Sequence, residues 1–339
     1  MDRVVKTDGW LLARALCDPA SVATLDANGW TSLLTIARAE QLIGSLAHRL
    51  EGLPMPESAA RILADARGSA AQGRVLALWE AEMARRALAS LGCPVVLLKG
   101  TAFIAAGLAA GVGRSIGDLD ILVPMDRLDA VERALIAANW EWVKPDPYDD
   151  AYYRRWMHEL PPLIHRDRDR MIDVHHTILP LTARITPDAA ALIADSVVLE
   201  NGLRILSHPD MLIHAAAHLF ADGDLAGGMR NLWDVHRLVE EFGTEGVFDR
   251  AAHHGLSVAM HRAVRLAAAL YADPDGDQLR LSRLDRLYLH RLTARDGWGR
   301  AVRPLLRQAF YMRSHLLRMP PLMLARHLWT KWRGGHHAI

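Results

Sequence analysis

The sequence predicts an α+β protein in which a small mixed β-sheet is flanked by a helical N-terminal subdomain and a helical C-terminal domain. Short apolar, β-branched runs cluster between residues 93 and 206. On either side, apolar residues recur at three-to-four spacing, the signature of helices with one buried face. A chain of 339 residues with 51% hydrophobic content has ample material for a sizeable core and about two domains. The expected divisions are 1–92, 93–206 and 207–339.

Taken in order, Leu33, Leu34, Ile36, Ile43, Leu46 and Leu50 mark N-terminal helices, interrupted by Gly52-Leu53-Pro54-Met55-Pro56. Pro94 to Leu98 reads as a short buried strand, Lys99-Gly100-Thr101 as a turn, and Ala102 to Ala110 as a helix. The polar loop Arg114-Ser115-Ile116-Gly117 runs into the strand Asp118 to Val123. Asp126 to Ala138 has helical composition and Trp140 to Val143 reads as a strand. Leu160 to His165 is an expected antiparallel partner of a strand beginning near Met171, with Arg166 to Arg170 as the turn. Val197 to Leu206 reads as a hairpin turning at Asn201-Gly202. Beyond Ser207-His208-Pro209-Asp210, where serine or aspartate can cap a helix, the chain reads as helical to its end.

Chemistry concentrates on three carboxylates. Side chains at i and i+2 of a strand share a face, so Asp118 and Asp120 stand side by side with Leu119 and Ile121 behind them. Like charges that close call for protonation, a cationic neighbour or a divalent metal. In Ile172-Asp173-Val174-His175 the same alternation puts Asp173 and His175 on one face. If this strand lies beside the first, the three carboxylates can hold two Mg²⁺ ions, an arrangement suited to phosphoryl or nucleotidyl transfer. Lys99 is one of only four lysines among 40 Lys and Arg, the others being Lys6, Lys144 and Lys331. A lysine at the end of a buried strand, ahead of a glycine turn, suggests a compact cation and free backbone N–H groups facing an anion.

Leu97-Leu98-Lys99-Gly100, Arg114-x3-Asp118-x-Asp120 and Ile172-Asp173-x-His175 resemble the bacterial uncharacterised nucleotidyltransferase family, within the DNA-polymerase-β-like nucleotidyltransferase superfamily. The resemblance covers roughly residues 30 to 245. Asp118-Leu119-Asp120-Ile121 matches the superfamily's metal motif fully. The turn departs from it, with Gly100-Thr101 after a lysine and sixteen residues before Asp118. The resemblance implies transfer of an NMP from an NTP, ATP foremost, to an acceptor hydroxyl with release of pyrophosphate. Asp118, Asp120 and Asp173 would bind the metals, and Lys99, Gly100, Thr101, Arg114 and Ser115 the phosphates. His175 would orient a carboxylate or touch substrate.

Two other classes compete. His214, His218 and Asp222, at i, i+4 and i+8, suggest a helical His/Asp metal hydrolase, although no adjacent His-Asp pair accompanies them. A non-catalytic scaffold is the other. With only Cys17 and Cys93, neither a disulfide framework nor a CxxC metal site is expected. Arg14 and Asp18 interrupt the apolar start, no long uncharged run occurs, and the expected compartment is the cytoplasm. The net charge of +1 hides an asymmetry: residues 280 to 339 hold thirteen Lys or Arg against Asp285 and Asp296. Such a segment is expected to meet an anionic partner, a membrane surface, or the acidic remainder of the chain itself. Arg230 and Asp234 are expected to pair at i, i+4.

Overall fold

The computed structural model describes residues 8–143, 146–222, 224–272 and 281–325. Four helices come first: α1 (Gly9–Cys17), α2 (Ala27–Ala39), α3 (Ile43–Arg49) and α4 (Glu57–Leu88). Their starts are marked by side chains that satisfy the free amides of a first turn. Asp8 accepts from the Trp10 amide at 3.0 Å and Asp26 from Gly29 at 2.7 Å. Pro56 precedes α4, which then runs unbroken for 32 residues.

Seven strands follow: β1 (Val96–Leu97), β2 (Asp118–Leu122), β3 (Trp140–Trp142), β4 (Leu163–His165), β5 (Met171–His175), β6 (Val197–Val198) and β7 (Arg204–Ile205). They form one mixed sheet in the order β3-β4-β5-β2-β1-β7-β6. The middle strand, β2, runs parallel to β5 and antiparallel to β1. Its neighbour β5 is paired antiparallel to β4 across the 166–170 turn, as the alternation predicted. The hairpin forms with Gly202 at φ +80°, a backbone that glycine adopts freely, and β7 lies parallel to β1.

Between the strands lie α5 (Lys99–Ala105), α6 (Leu128–Ala137), α7 (Pro147–Trp156) and α8 (Ala189–Ala194). The helix expected over Ala102 to Ala110 begins earlier and stops sooner. Gly107 at φ +70° ends α5, with Gly107 N–H donating to Ile104 O and Leu108 N–H to Phe103 O. These paired bonds satisfy the last carbonyls and turn the chain. Likewise Asp126 to Ala138 divides into a 3₁₀ turn, Met125–Arg127, and α6. Helix α7 was not expected from the sequence.

The C-terminal part comprises α9 (His208–Ala217), α10 (Gly228–Phe242), α11 (Val247–His253), α12 (Ser257–Tyr271), α13 (Arg283–Leu292) and α14 (Pro304–Arg318). Ser207 and Ser282 cap α9 and α13, each bonded also to an aspartate three residues on. The expectation of helix to the chain end lies, for residues 326–339, outside the described residues.

One buried apolar cluster joins all three parts, taking in Leu12, Leu46, Ile121, Val174, Leu232 and Leu266. Each such side chain contributes about 1.5–3 kcal/mol when fully buried. Polar contacts bind the ends together as well: Gly9 N–H donates to Thr293 O at 3.1 Å, and Arg295 pairs with buried Glu40 at 2.7 Å. Among the described residues, no helix is long and apolar enough to cross a membrane.

Candidate active site

Parallel pairing of β2 with β5 sets Asp120 directly opposite Asp173, two residues along from Asp118. All three side chains therefore share one face, each placing a carboxylate oxygen within 4.8 Å of the other two. Asp118 is exposed at the strand mouth, Asp173 partly covered and Asp120 buried. The alternation Leu119, Ile121, Ile172, Val174 fixes this register, because a slip of one residue would turn the apolar side chains outward.

Lys99 reaches the cluster from β1. Leu98 N–H donates to Asp120 O at 3.0 Å, and the chain then turns through Lys99 at φ +48°, a left-handed backbone unusual for a lysine. Holding it costs about 1–3 kcal/mol. The ammonium donates to Asp120 Oδ1 at 2.6 Å. His175 Nε2 lies 3.0 Å from the same oxygen.

These neighbours divide the carboxylates. Burial alone would raise Asp120, yet Lys99 and His175 hold it well below the usual carboxylate range. Burial and the charge of Asp120 raise Asp118. Burial, then Glu159 and Asp120, push Asp173 up to about 7. Burial works against charge on Lys99 and His175, but Asp120 raises both. Two carboxylates with raised pKa beside one that stays ionised form a hard, oxygen-rich, electron-surplus pocket. That donor set fits Mg²⁺.

Glu159 and His158 were missed from the sequence. Residues 158–160 run alongside the end of β5, with Glu159 bridged to His175 and His176 N–H donating to His158 O. Extending the Leu160 to His165 strand back by two residues would have brought Glu159 onto the site. Arg170 was also missed; it lines a small recess with Thr101, Ile116 and Asp118.

Gly100 and Thr101 are buried at the start of α5, and Ser115 is exposed on the loop before β2. A Cβ on Gly100 would overlap Arg114 Nε and Ile116 Cδ1, so this glycine makes room for an arginine. Arg114 itself turns inward: its guanidinium donates to buried Asp234 and lies over the Phe103 ring. Arg230 Nε approaches Asp234 at 3.4 Å and its Nη1 donates to Ser45 at 2.7 Å. The Arg230–Asp234 pair thus belongs to the core, where it ties α10 to α3 and to the Arg114 loop.

The helical stripe His214, His218 and Asp222 does not persist, because α9 ends at Ala217 and residues 218–222 form a π turn. Burial, with Lys99 and His218 nearby, holds the His214 imidazole well below its ordinary range.

A mixed sheet presenting three clustered carboxylates beside a lysine and a histidine defines a candidate centre for metal-assisted phosphoryl chemistry. The model of the uncharacterised nucleotidyltransferase family matches residues 26–272, and the chain belongs to that family. A comparison with curated proteins finds no match.

Proposed function

We propose that this protein is a Mg²⁺-dependent nucleotidyltransferase of the DNA-polymerase-β-like kind. It would move an NMP from an NTP, ATP foremost, to a hydroxyl-bearing acceptor and release pyrophosphate. The observation that carries this reading is the opposition of Asp120 and Asp173 across parallel strands, with Asp118 on the same face. Asp118, Asp120 and Asp173 would hold one or two Mg²⁺ ions. Bound there, the ions would supply charge neutralisation for the phosphates and activation for the acceptor hydroxyl. Asp173 would help take the proton of the acceptor hydroxyl. Lys99 keeps Asp120 ionised and, with Arg170, Ser115 and the backbone at Gly100 and Thr101, neutralises phosphate charge. Arg114, turned toward Asp234, shapes the loop on which Ser115 stands instead of meeting the nucleotide. Positioning and electrostatics supply the acceleration. No membrane anchor enters this reading, and the cytoplasm is the proposed compartment.

The test is pyrophosphate release from each of the four NTPs with Mg²⁺ and cell extract as the acceptor source. Asp118→Asn should lower turnover by about 1,000-fold or more while the protein stays folded. Lys99→Met should weaken NTP binding by roughly 10- to 100-fold. Equal Mg²⁺-dependent turnover in Asp118→Asn would overturn the assignment. Silence of the wild type with every NTP would point to a scaffold instead.

A further inference from the structure

Beside the carboxylate face lies a second group of potential ligands with different chemistry. His158, Glu159 and His175 each place a ligand atom within 4.8 Å of the other two. Glu159 Oε2 is 3.4 Å from His175 Nδ1 and 3.8 Å from His158 Nε2. A tetrahedral ion bound at 2.0–2.1 Å separates its ligands by roughly 3.4 Å, so the spacing is already close to what such an ion requires.

The surroundings of His175 add an independent argument. Its Nε2 lies 3.0 Å from Asp120 Oδ1, and its Nδ1 faces the Glu159 carboxylate. His175 is 2% exposed, and its Nδ1 has no hydrogen-bond partner. The imidazole of His158, 8% exposed, likewise keeps a buried Nδ1 without a partner. Buried ring nitrogens left without a partner call for a bound ion or ligand that satisfies them. A ligating histidine whose far nitrogen donates to a carboxylate is also the usual outer arrangement of a metal site. His175 has that partner in Asp120.

We propose that His158, Glu159 and His175 bind one transition-metal ion, Zn²⁺ by the N₂O donor set, separate from the Mg²⁺ ions of the carboxylate face. Two imidazoles and one carboxylate favour a borderline ion over Mg²⁺, and three protein ligands leave a fourth position open. The ion would fix the ring of His175 and so the oxygen of Asp120 that it bonds. The two sites share no ligand, and they meet through the His175–Asp120 bond and through the charge of Glu159 beside Asp173.

Co²⁺ added to metal-free protein is the probe, read by the intense visible bands of a tetrahedral cobalt centre. With excess Mg²⁺ present to occupy the carboxylate face, the wild type should take up one equivalent as a tetrahedral centre, and Zn²⁺ should displace it. His158→Gln and Glu159→Gln should each weaken Co²⁺ binding on the order of 100-fold, with circular dichroism checking that the fold is kept. Asp118→Asn should bind Co²⁺ like the wild type even as it loses NTP turnover, which separates this site from the proposed catalysis. Absence of the tetrahedral bands in the wild type would overturn the proposal. So would cobalt binding that Asp118→Asn abolishes or that Glu159→Gln leaves unchanged in a folded protein.

Discussion

Around Asp120, four carboxylates (Asp118, Asp120, Asp173 and Glu159) face one lysine and one histidine. Around Asp234, two guanidiniums face a single carboxylate. Both clusters are largely buried and the Arg114 loop leads from one to the other, yet their charges are settled differently. The Asp234 cluster is closed: Arg114 lies against Phe103, Arg230 reaches Ser45, and Ser45 in turn donates to Val112 O at 2.9 Å. Its contacts join α3, the loop and α10. The carboxylate cluster keeps surplus acid at a partly exposed strand mouth, and part of that acid is held at raised pKa. A charge cluster that serves the fold spends its contacts tying elements together in the core, whereas one suited to a cation keeps surplus acid at an accessible mouth.

The sharpest way to break this comparison is to remove Asp234. Asp234→Ala leaves two buried arginines without their carboxylate and should cost about 3–5 kcal/mol, read as a large fall in melting temperature. Asp173→Asn, at the other cluster, removes a carboxylate whose neighbours disfavour its charge and should leave the metal-free melt near or above wild type at neutral pH. Similar losses in both would mean that the two clusters are alike.

Legibility in the sequence followed the same line. Asp118, Asp120, Asp173 and Lys99 could be brought together because strand alternation is local and a two-residue period admits few alternatives. The parallel pairing of β2 with β5 was anticipated only as adjacency. Arg114 could not be sorted, because nothing local announces that Asp234, 120 residues on, will claim it. Glu159 escaped because its strand-like pairing is a single bridge that begins before the apolar run. The end of α5 turned on Gly107, which the apolar composition of the segment concealed.

The second prediction uses pH. Folded Asp173 binds its proton more tightly than the unfolded chain, whose carboxyl titrates about pH 4. Its contribution to stability is therefore fully present below about pH 4 and is lost as pH rises through about 7. Wild type should weaken relative to Asp173→Asn by a few kcal/mol, on the order set by that shift, between about pH 5 and pH 7.5 in metal-free buffer. Mg²⁺ should restore the wild type at pH 7.5, since it binds the ionised form. A flat difference across this range would show that Asp173 keeps an ordinary pKa.

A smaller effect separates the two aspartates of β2. Asp120→Asn weakens the partner of both Lys99 and His175 and should cost about 1–3 kcal/mol in the metal-free protein. Asp118→Asn relieves repulsion and should be neutral or mildly stabilising. Equal melts for the two variants would mean that Lys99 and His175 do not distinguish the carboxylates.

The smallest effect tests whether the basic C-terminal segment behaves like the closed cluster or the open one. Its described arginines divide. Arg295 pairs with buried Glu40, Arg291 donates to Asp224 O, and Arg313 donates to Phe220 O and lies over Tyr288. Arg313 is therefore an internal contact. Arg303 is exposed but donates to His290, whereas Arg307 is exposed on α14. Arg307→Glu should change stability by less than about 0.5 kcal/mol, as a surface substitution with no buried partner. NTP turnover should stay at the wild-type level. If the segment meets an anionic partner, the variant should elute from a heparin column at lower salt, because one attractive charge has become repulsive. An unchanged elution together with an unchanged melt would mean that the segment's working arginines are the internal ones, and that its excess charge neutralises the chain's own acidic part.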